Sequence, residues 1–166
     1  WNGYWISGGT DPAPYLRKKL VIDSLPGKAE CFLCGLGWHE LYVNGSKADD
    51  RVLAPVVSQF DKHVSYIRYD VTRLLQPGEN VIVVLLGNGL YNCRTQCNWN
   101  FPNAPWLDKP KMICDLLCDG KIVLVSDDSW KNIPSPILMN QMRNGEEYDA
   151  SREIKGMLLP GFEDSA

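Results

Sequence analysis

The sequence predicts an all-β fold, a jelly-roll β-sandwich, and two observations lead to that prediction. Short segments with strand character alternate with turns that are rich in Gly, Pro, Asn and Asp. No apolar period typical of an amphipathic helix is sustained over about twelve residues. Short strands without helices are typical of sandwiches and barrels, and a chain of 166 residues is long enough for one such domain with a substantial core.

Each expected strand follows from its own pattern. Residues 15–22 predict an edge or half-exposed strand that ends at a Pro-Gly turn. Residues 38–43 alternate between two faces and lead into Asn44-Gly45, the dipeptide that a type I′ hairpin turn favours. Residues 81–86 are apolar on both faces and predict a central, buried strand. Further strands are expected at residues 30–34 and 64–71, and residues 112–117 and 121–125 predict a second hairpin that turns at Asp119-Gly120, with Trp130 on a short strand beyond it.

Two stretches depart from the strand pattern. Residues 87–110 are rich in Asn and aromatic residues, and loops of that length in compact domains are often functional. Residues 151–166 show no apolar period, so we expect a truncated linker there. The predicted organisation is a lead-in segment at 1–14, a β-sandwich at 15–150 and the linker at 151–166. Because the chain starts at Trp1 and not at Met, we expect it to be a processed or excised piece.

The composition argues against binding to nucleic acid and against insertion into a membrane. Lys and Arg number 17 against 20 Asp and Glu, so the net charge of −3 provides no positive field for a polyanion. The longest apolar run, Val81–Leu86, has six residues, whereas a membrane-spanning helix needs roughly twenty. Hydrophobic residues make up 45% of the chain, which is typical of folded domains and not of disordered ones.

The six cysteines are expected to be mostly buried free thiols. A domain of this size does not depend on disulfides, and Cys31-x-x-Cys34 lacks the further ligands of a zinc site. Cys31 and Cys34 fall in one strand at an odd spacing, which directs their side chains to opposite faces. Cys93 and Cys97 lie in the long loop, where oxidation to a disulfide is the alternative.

A set of short strings, taken in order along the chain, carries a family resemblance. The strings are Trp5–Ile6, Tyr15–Lys18, Gly35–Gly45, Tyr69–Thr72, Gly78–Asn80, Leu86–Asn92, Gly145–Ala150 and Pro160–Ser165. Each string alone is weak, since Asn-Gly and Pro-Gly turns recur in many β-proteins. Together they cover nearly the whole chain, which resembles the N-terminal domain of bacterial α-L-rhamnosidases.

This resemblance implies a galactose-binding-domain-like jelly roll that precedes an (α/α)6 barrel. In the family, two carboxylic acids of that barrel perform inverting hydrolysis of terminal α-L-rhamnosides, and domains related to this one bind L-rhamnose beside a calcium ion. The implied partners are therefore L-rhamnose or a rhamnose-containing glycan and the other domains of the same parent chain. The resemblance also implies a bacterial protein that is periplasmic or secreted.

The long loop supplies the residue types that carbohydrate recognition needs. Aromatic faces contact the C–H side of a sugar ring, and amides bond to its hydroxyl groups. The candidate platform residues are Tyr91, Trp99 and Trp106, and the candidate hydrogen-bonding residues are Asn88, Asn92, Asn98 and Asn103. The alternative is structural: Trp99 and Trp106 plug the end of the sandwich, while the asparagines take left-handed turn conformations.

A calcium ion is the candidate cofactor. Calcium needs six to eight oxygen ligands, mostly from carboxylates, amides and backbone carbonyl groups. Asp49 and Asp50 follow the first hairpin and are expected to meet Asn98 and nearby loop carbonyls at one end of the sandwich. The alternative for this acidic pair is a solvated turn.

The carboxylates of this chain do not predict a hydrolytic site. Inversion needs two carboxyl groups about 6.5–9.5 Å apart, one of them with a raised pKa. The candidates are Glu146, Glu147 and Asp149, or Asp127 and Asp128, and all lie in short polar runs where solvated hairpin ends are expected. We therefore predict a non-catalytic accessory domain that holds rhamnosylated glycan near the catalytic barrel. The alternative is a structural domain that packs on the barrel without sugar affinity.

Overall fold

Two antiparallel sheets make up most of the protein, and the computed structural model describes residues 1–96 and 99–163. The strands are β1 (Ile6–Ser7), β2 (Tyr15–Ile22), β3 (Ala29–Leu36), β4 (Trp38–Val43), β5 (Ser46–Lys47), β6 (Ile67–Asp70), β7 (Gly78–Gly87), β8 (Lys111–Cys118), β9 (Lys121–Val125), β10 (Lys131–Ile133), β11 (Ile137–Gln141) and β12 (Gly145–Tyr148). Within the described ranges, helical structure is limited to single 3-10 turns, and no helix is long and apolar enough to cross a membrane.

The two sheets face each other and confirm the predicted all-β jelly-roll sandwich. The first sheet has the order β1-β8-β3-β6, with β9 also paired to β8. The second sheet has the order β10-β2-β7-β4-β5, and β11 and β12 form a separate hairpin. Strand β7 pairs with β2 on one side and with β4 on the other, so the predicted central position of residues 81–86 is confirmed.

Several strand predictions need correction. Of the two alternatives for β2, the edge position is wrong, because β10 pairs with its other side, whereas the half-exposed character is confirmed by its mixed burial. The strand predicted from residue 64 begins only at Ile67, and Trp130 precedes β10 instead of lying in it. The β11–β12 hairpin was not predicted, because its residues lack a regular alternation and β12 is exposed along its whole length.

A single glycine joins the two sheets. Strand β3 belongs to the first sheet and β4 to the second, and Gly37 is the residue between them. Its φ is +105°, and a Cβ atom at this position would lie 2.2 Å from the carbonyl oxygen of Gly87. Both the backbone conformation and the close approach therefore require glycine.

The two predicted hairpin turns are confirmed. Asn44 and Gly45 have φ values of 51° and 84° between β4 and β5. Asp119 and Gly120 have φ values of 48° and 77° between β8 and β9. Two successive residues with positive φ define the type I′ turn, whose twist matches that of the strands it joins.

The core lies between the sheets. Its members are inward-facing apolar side chains, among them Leu16, Leu41, Ile82, Val84 and Leu86 from the second sheet and Cys31, Leu33, Met112, Cys114 and Leu116 from the first. Alternate residues of each strand point to this layer, as the period of two requires. The same period of two directs the side chains of Cys31 and Cys34 to opposite faces of β3, as the sequence predicts.

The thiols are free where the structure describes them. Cys31, Cys34, Cys93 and Cys114 are buried, and Cys118 is half-buried. Burial raises the pKa of the Cys31 thiol to about 12 and that of Cys34 to about 11, so both stay protonated at neutral pH. Cys93 is not in a disulfide, and its candidate partner Cys97 lies outside the described residues.

Part of the outer face of the second sheet packs against residues 153–163, which we call the C-terminal strap. Met157 is buried against Val81 and Val83, the two β7 residues that face away from the main core. This contact explains why β7 is apolar on both faces. Although residues 151–166 were expected to be a linker, the strap is packed on the sheet.

Arg17 fastens the C-terminal strap to β2. Its side chain is fully buried, and its Nε donates to the carbonyl oxygen of Met157 at 2.8 Å. A second guanidinium nitrogen donates to the carbonyl oxygen of Leu159 at 3.2 Å, and the group lies 5.2 Å from the ring centre of Phe162. A buried cation is tolerated here because main-chain acceptors and an aromatic face surround it.

The first residues of the chain also belong to the sandwich. The buried carboxylate of Asp115 on β8 accepts hydrogen bonds from the backbone N–H groups of Asn2 and Gly3 at 3.0 and 3.1 Å. Ile6 and Ser7 then pair with β8 as strand β1. The predicted lead-in segment therefore contributes to the first sheet.

The buried His39 predicts a pH-dependent stability. Its Nε2 lies 3.0 Å from the Tyr69 hydroxyl oxygen. Burial lowers the pKa of the imidazole to about 4, although the negative charge of Glu40 acts to raise that pKa. Below pH 6.5 the unfolded chain takes up a proton that the folded state does not. We therefore expect the free energy of unfolding to fall as the pH decreases from 6.5 to 4, by up to about 3 kcal/mol.

Urea unfolding at several pH values checks this expectation. His39→Gln should reduce the loss of stability between pH 6.5 and 4, whereas His63→Gln, at an exposed position, should leave it unchanged. An unaltered pH dependence in His39→Gln would assign the acid sensitivity to other groups.

Candidate carbohydrate-binding site

The loop between β7 and β8 begins with a buried amide network. The backbone N–H of Asn88 donates to Oδ1 of Asn140 at 2.7 Å, and its Nδ2 donates to the Asn140 carbonyl oxygen at 2.8 Å. Nδ2 of Asn92 donates to Oδ1 of Asn88 at 2.6 Å, and Asn140 continues the network to the carbonyl oxygen of Pro12 at 2.8 Å. Asn88, predicted to bond to a sugar, is thus engaged in holding the loop against β11 and the N-terminal segment.

Polar atoms without a partner lie in the same region. Within the part of the chain that the structure describes, Oδ1 of Asn92, Nε1 of Trp106 and Oε1 of Gln141 are buried and have no hydrogen-bond partner. Buried polar groups of this kind usually bond to an ordered water molecule or to a ligand. Gln141 was not predicted from the sequence, because nothing in β11 connects it to the loop.

Aromatic rings continue in a row from the interior to the surface. Tyr91 is buried, and its ring centre lies 5.2 Å from that of Phe60. Phe60 contacts Trp106 at 5.9 Å, and Trp106 contacts Phe101 at 6.5 Å. Phe101 then meets Trp99 edge-on at 5.8 Å. Tyr91 therefore packs at the buried end of the row, and Trp106 packs between Phe60 and Phe101.

The outer end of the row is a different environment. The Trp99 side chain is 66% exposed, and the Arg143 guanidinium lies 5.6 Å from its ring centre. Asn100 takes a left-handed conformation with φ 57°, and its Oδ1 accepts from Nδ2 of Asn103 at 2.7 Å. An exposed indole, a guanidinium and two exposed amides thus lie together, and these are groups that can contact a sugar ring and its hydroxyls.

Ionisable groups near the base of the loop are paired. The Lys111 ammonium donates to Oδ2 of Asp108 at 2.6 Å, which raises the pKa of Lys111 and lowers that of Asp108. Burial raises the pKa of Tyr91, so its hydroxyl is neutral. Asp108 and Lys111 compensate each other, and the Arg143 guanidinium places a positive charge beside Trp99.

Two of the predicted calcium ligands, Asp49 and Asp50, lie in an ordinary turn. Oδ1 of Asp49 accepts from the Arg51 backbone N–H at 3.1 Å, and the Asp49 carboxylate also forms an ion pair with the Arg51 guanidinium. Asp50 is exposed, and Asn98 lies outside the described residues. Among the residues that the structure describes, no three His, Cys, Asp or Glu side chains are grouped so as to hold a metal ion.

The carboxylates considered for hydrolysis serve as caps or face solvent. Asp149 accepts from the Ser151 backbone N–H at 3.0 Å and Asp127 from that of Ser129 at 2.9 Å, and these bonds to serine lower the pKa of both acids. Glu146 and Glu147 are exposed on β12. A general acid for glycoside cleavage needs a raised pKa, which is the opposite of the direction found for Asp149 and Asp127.

The architecture is that of an all-β domain with a jelly-roll β-sandwich fold. The chain belongs to the family of α-L-rhamnosidase N-terminal domains, whose family model matches residues 25–166. The resemblance drawn from the sequence strings is thereby confirmed.

Known relatives agree with this assignment. An α-L-rhamnosidase of Formosa agariphila is 32% identical to this chain, and the match covers 93% of the chain and 17% of that enzyme. The α-L-rhamnosidase structure from Dictyoglumus thermophilum matches with a TM-score of 0.87 at 35% identity, over 99% of this chain and 20% of that one. The Streptomyces avermitilis enzyme, solved in complex with L-rhamnose, matches with a TM-score of 0.84 at 28% identity, over 93% of this chain and 15% of that one. The chain thus spans a fifth or less of the length of these relatives.

Proposed function

We propose that the chain is a non-catalytic accessory domain of an α-L-rhamnosidase and that it recognises rhamnosylated carbohydrate at the outer end of the aromatic row. The observation that carries this proposal is the exposed Trp99 ring beside Arg143, Asn100 and Asn103. Large exposed aromatic side chains next to convergent polar groups are typical of a recognition surface. The amides and the guanidinium would bond to hydroxyl groups at the edge of the sugar that Trp99 contacts.

The proposed site is narrower than the sequence prediction. Asn88 and Tyr91 hold the loop in place, and Trp106 supports the row from inside. Asn92 faces the interior, where its unpartnered Oδ1 fits an ordered water molecule. The sugar-contacting role is therefore proposed for Trp99 and Asn103, together with Asn100 and Arg143.

The proposal also includes a bound calcium ion, the partners of the domain and its location. Asp49 and Asp50 would supply carboxylate oxygens to a calcium ion, although Asp49 would first have to release Arg51. The remaining domains of the parent chain and a rhamnose-containing glycan are the proposed partners. The family assignment supports a periplasmic or secreted protein, because plant polysaccharides are extracellular substrates.

The isolated chain should not hydrolyse rhamnosides. We expect no release of the aryl group from an aryl α-L-rhamnoside, because the candidate carboxylates are caps or solvated side chains. The measurement is an absorbance assay with the purified chain. Turnover that disappears in Glu146→Gln or Glu147→Gln would show an active site in this domain and contradict the proposal.

Two tryptophan variants separate recognition from packing. Trp99→Ala should abolish the heat of L-rhamnose binding and change the melting temperature little, because the ring is mostly exposed. Trp106→Ala should lower stability by about 3 kcal/mol, because it removes a ring that packs on Phe60 and Phe101. Calorimetric titration and thermal melting on both variants make the comparison. If Trp99→Ala binds L-rhamnose as the wild type does, the proposed platform is wrong.

A structural role is the second candidate, and one surface favours it. Val52, Leu53, Val56 and Val57 are exposed within six residues of chain. A cluster of exposed aliphatic side chains is typical of a surface that packs against another protein domain. If the chain has no affinity for L-rhamnose, this surface makes packing against the rest of the parent enzyme the better interpretation.

A further inference from the structure

A groove of about 750 Å³ lies at the open end of the β11–β12 hairpin, which is the end opposite its turn. Its walls are Tyr148 at the end of β12, Tyr15 at the start of β2, Pro134 and Pro136 before β11, and the C-terminal strap. This volume falls within the range of pockets that bind small organic ligands. Neither the sequence analysis nor the proposed function uses it.

The groove contains the groups that suit a neutral sugar. The Tyr148 ring is 50% exposed, and its hydroxyl donates to Oε1 of Glu153 at 2.5 Å. That hydrogen bond raises the pKa of Tyr148 to about 12, and burial raises the pKa of Tyr15, so both rings are neutral phenols. The exposed Tyr148 ring can contact sugar C–H groups, the half-buried Tyr15 lines the wall beside it, and the Glu153 carboxylate can accept hydrogen bonds from hydroxyls.

The strap makes this groove a preformed site. Arg17 holds the strap at the carbonyl oxygens of Met157 and Leu159, and both residues line the groove. Gly45 packs so closely against the strap that a Cβ atom there would lie 2.6 Å from Cδ2 of Leu159. A wall fixed in this way needs no ordering when a ligand binds, which favours affinity.

One hairpin connects the groove with the exposed tryptophan. Arg143, in the turn between β11 and β12, lies beside Trp99, while Tyr148 at the far end of β12 lines the groove. Strand β12 has four residues and spans roughly 13 Å at about 3.3 Å per residue. A single sugar ring cannot reach both places, whereas an oligosaccharide lying along the hairpin can.

We propose that the groove between the β11–β12 hairpin and the C-terminal strap is a second carbohydrate subsite, which takes the further rings of a neutral oligosaccharide. This inference rests on the proposed function, because it assumes that the domain recognises rhamnosylated carbohydrate. It adds a preference for ligand length. The domain then binds an oligosaccharide and not merely a terminal rhamnose, with Tyr148, Tyr15 and Glu153 as the contacts of the second subsite.

The test is calorimetric titration of the full chain with L-rhamnose and with a neutral rhamnose trisaccharide. The wild type should bind the trisaccharide at least tenfold more tightly than the monosaccharide. Tyr148→Ala should remove that advantage and leave the affinity for L-rhamnose unchanged. Glu153→Gln should reduce the advantage severalfold, and Tyr66→Ala, which removes a similarly exposed tyrosine just before β6, should change neither affinity.

The outcomes distinguish this inference from the proposed function. If the wild type binds both sugars equally, or if Tyr148→Ala keeps the trisaccharide advantage, the groove is not a subsite and the proposed function stands. If the wild type binds neither sugar, both proposals fail. Thermal melting of each variant shows whether it is folded. If Tyr148→Ala does not fold, the affinities of Glu153→Gln decide whether the groove is a subsite.

Discussion

Arg17→Ala is expected to lower the free energy of unfolding by about 4 kcal/mol. The substitution removes a fully buried guanidinium that donates to the carbonyl oxygens of Met157 and Leu159 and contacts the Phe162 ring. These carbonyls lose their donors, and the volume of the side chain is left empty. The C-terminal strap should then detach from the second sheet and expose Val81 and Val83.

Two measurements check the role of Arg17. Urea unfolding gives the free energy, and trypsin digestion reports the strap, because cleavage at Arg152 and Lys155 should accelerate when the strap detaches. Arg68→Ala is the matched control, since Arg68 is exposed and its pair with Glu30 at 3.5 Å should contribute less than about 1 kcal/mol. An Arg17→Ala protein with wild-type stability and an equally resistant strap would contradict the proposed clamp.

Asn80→Ala is expected to destabilise the protein by about 3 kcal/mol. Oδ1 of Asn80 accepts from Asn44 and from the Gln76 backbone N–H, both at 2.8 Å. Its Nδ2 donates to the carbonyl oxygens of Gln76 at 2.7 Å and Gly78 at 3.0 Å. The residue is fully buried at the start of β7, so alanine would leave several buried polar groups without partners.

An isosteric variant identifies the cause of that loss. Asn80→Asp keeps the shape and the acceptor oxygen but replaces the donor Nδ2 by a carboxylate oxygen that faces two carbonyl oxygens, so it should destabilise the protein at least as much as Asn80→Ala. Asn144→Ala, in the exposed turn of the β11–β12 hairpin, should change the stability by less than about 0.5 kcal/mol. Urea unfolding of the three variants is the measurement. A stable Asn80→Asp protein would show that the donated bonds are not needed.

Local pattern was sufficient to predict much of the fold. Alternation located β4, the apolar run located β7, and the Asn44-Gly45 and Asp119-Gly120 dipeptides located two hairpins. These features depend on neighbouring residues and on backbone conformations that few residue types adopt. The strap was not predictable in this way, because its contact with β2 joins residues 140 positions apart.

The burial of Arg17 could not be predicted from its residue type, because its surroundings are not visible in the sequence. A Lys- and Arg-rich stretch in β2 indicates an exposed face, yet Arg17 is buried because the strap supplies acceptors for it. The proposed site depends on distant residues in the same way. The loop sequence indicates aromatic and amide groups, but the separation of exposed Trp99 from packed Trp106 depends on Phe60 and Arg143, which lie far away in the sequence.

Calorimetric titration of the chain with L-rhamnose, with and without calcium, tests the central claim most directly. A domain that recognises a single sugar ring at an open surface should show a millimolar to high-micromolar dissociation constant, about −4 to −6 kcal/mol. Any part of the affinity that depends on calcium should disappear in Asp49→Ala. Saturable heat in this range is the predicted result. No heat with L-rhamnose at saturating calcium would contradict the recognition function and leave the domain a structural part of its enzyme.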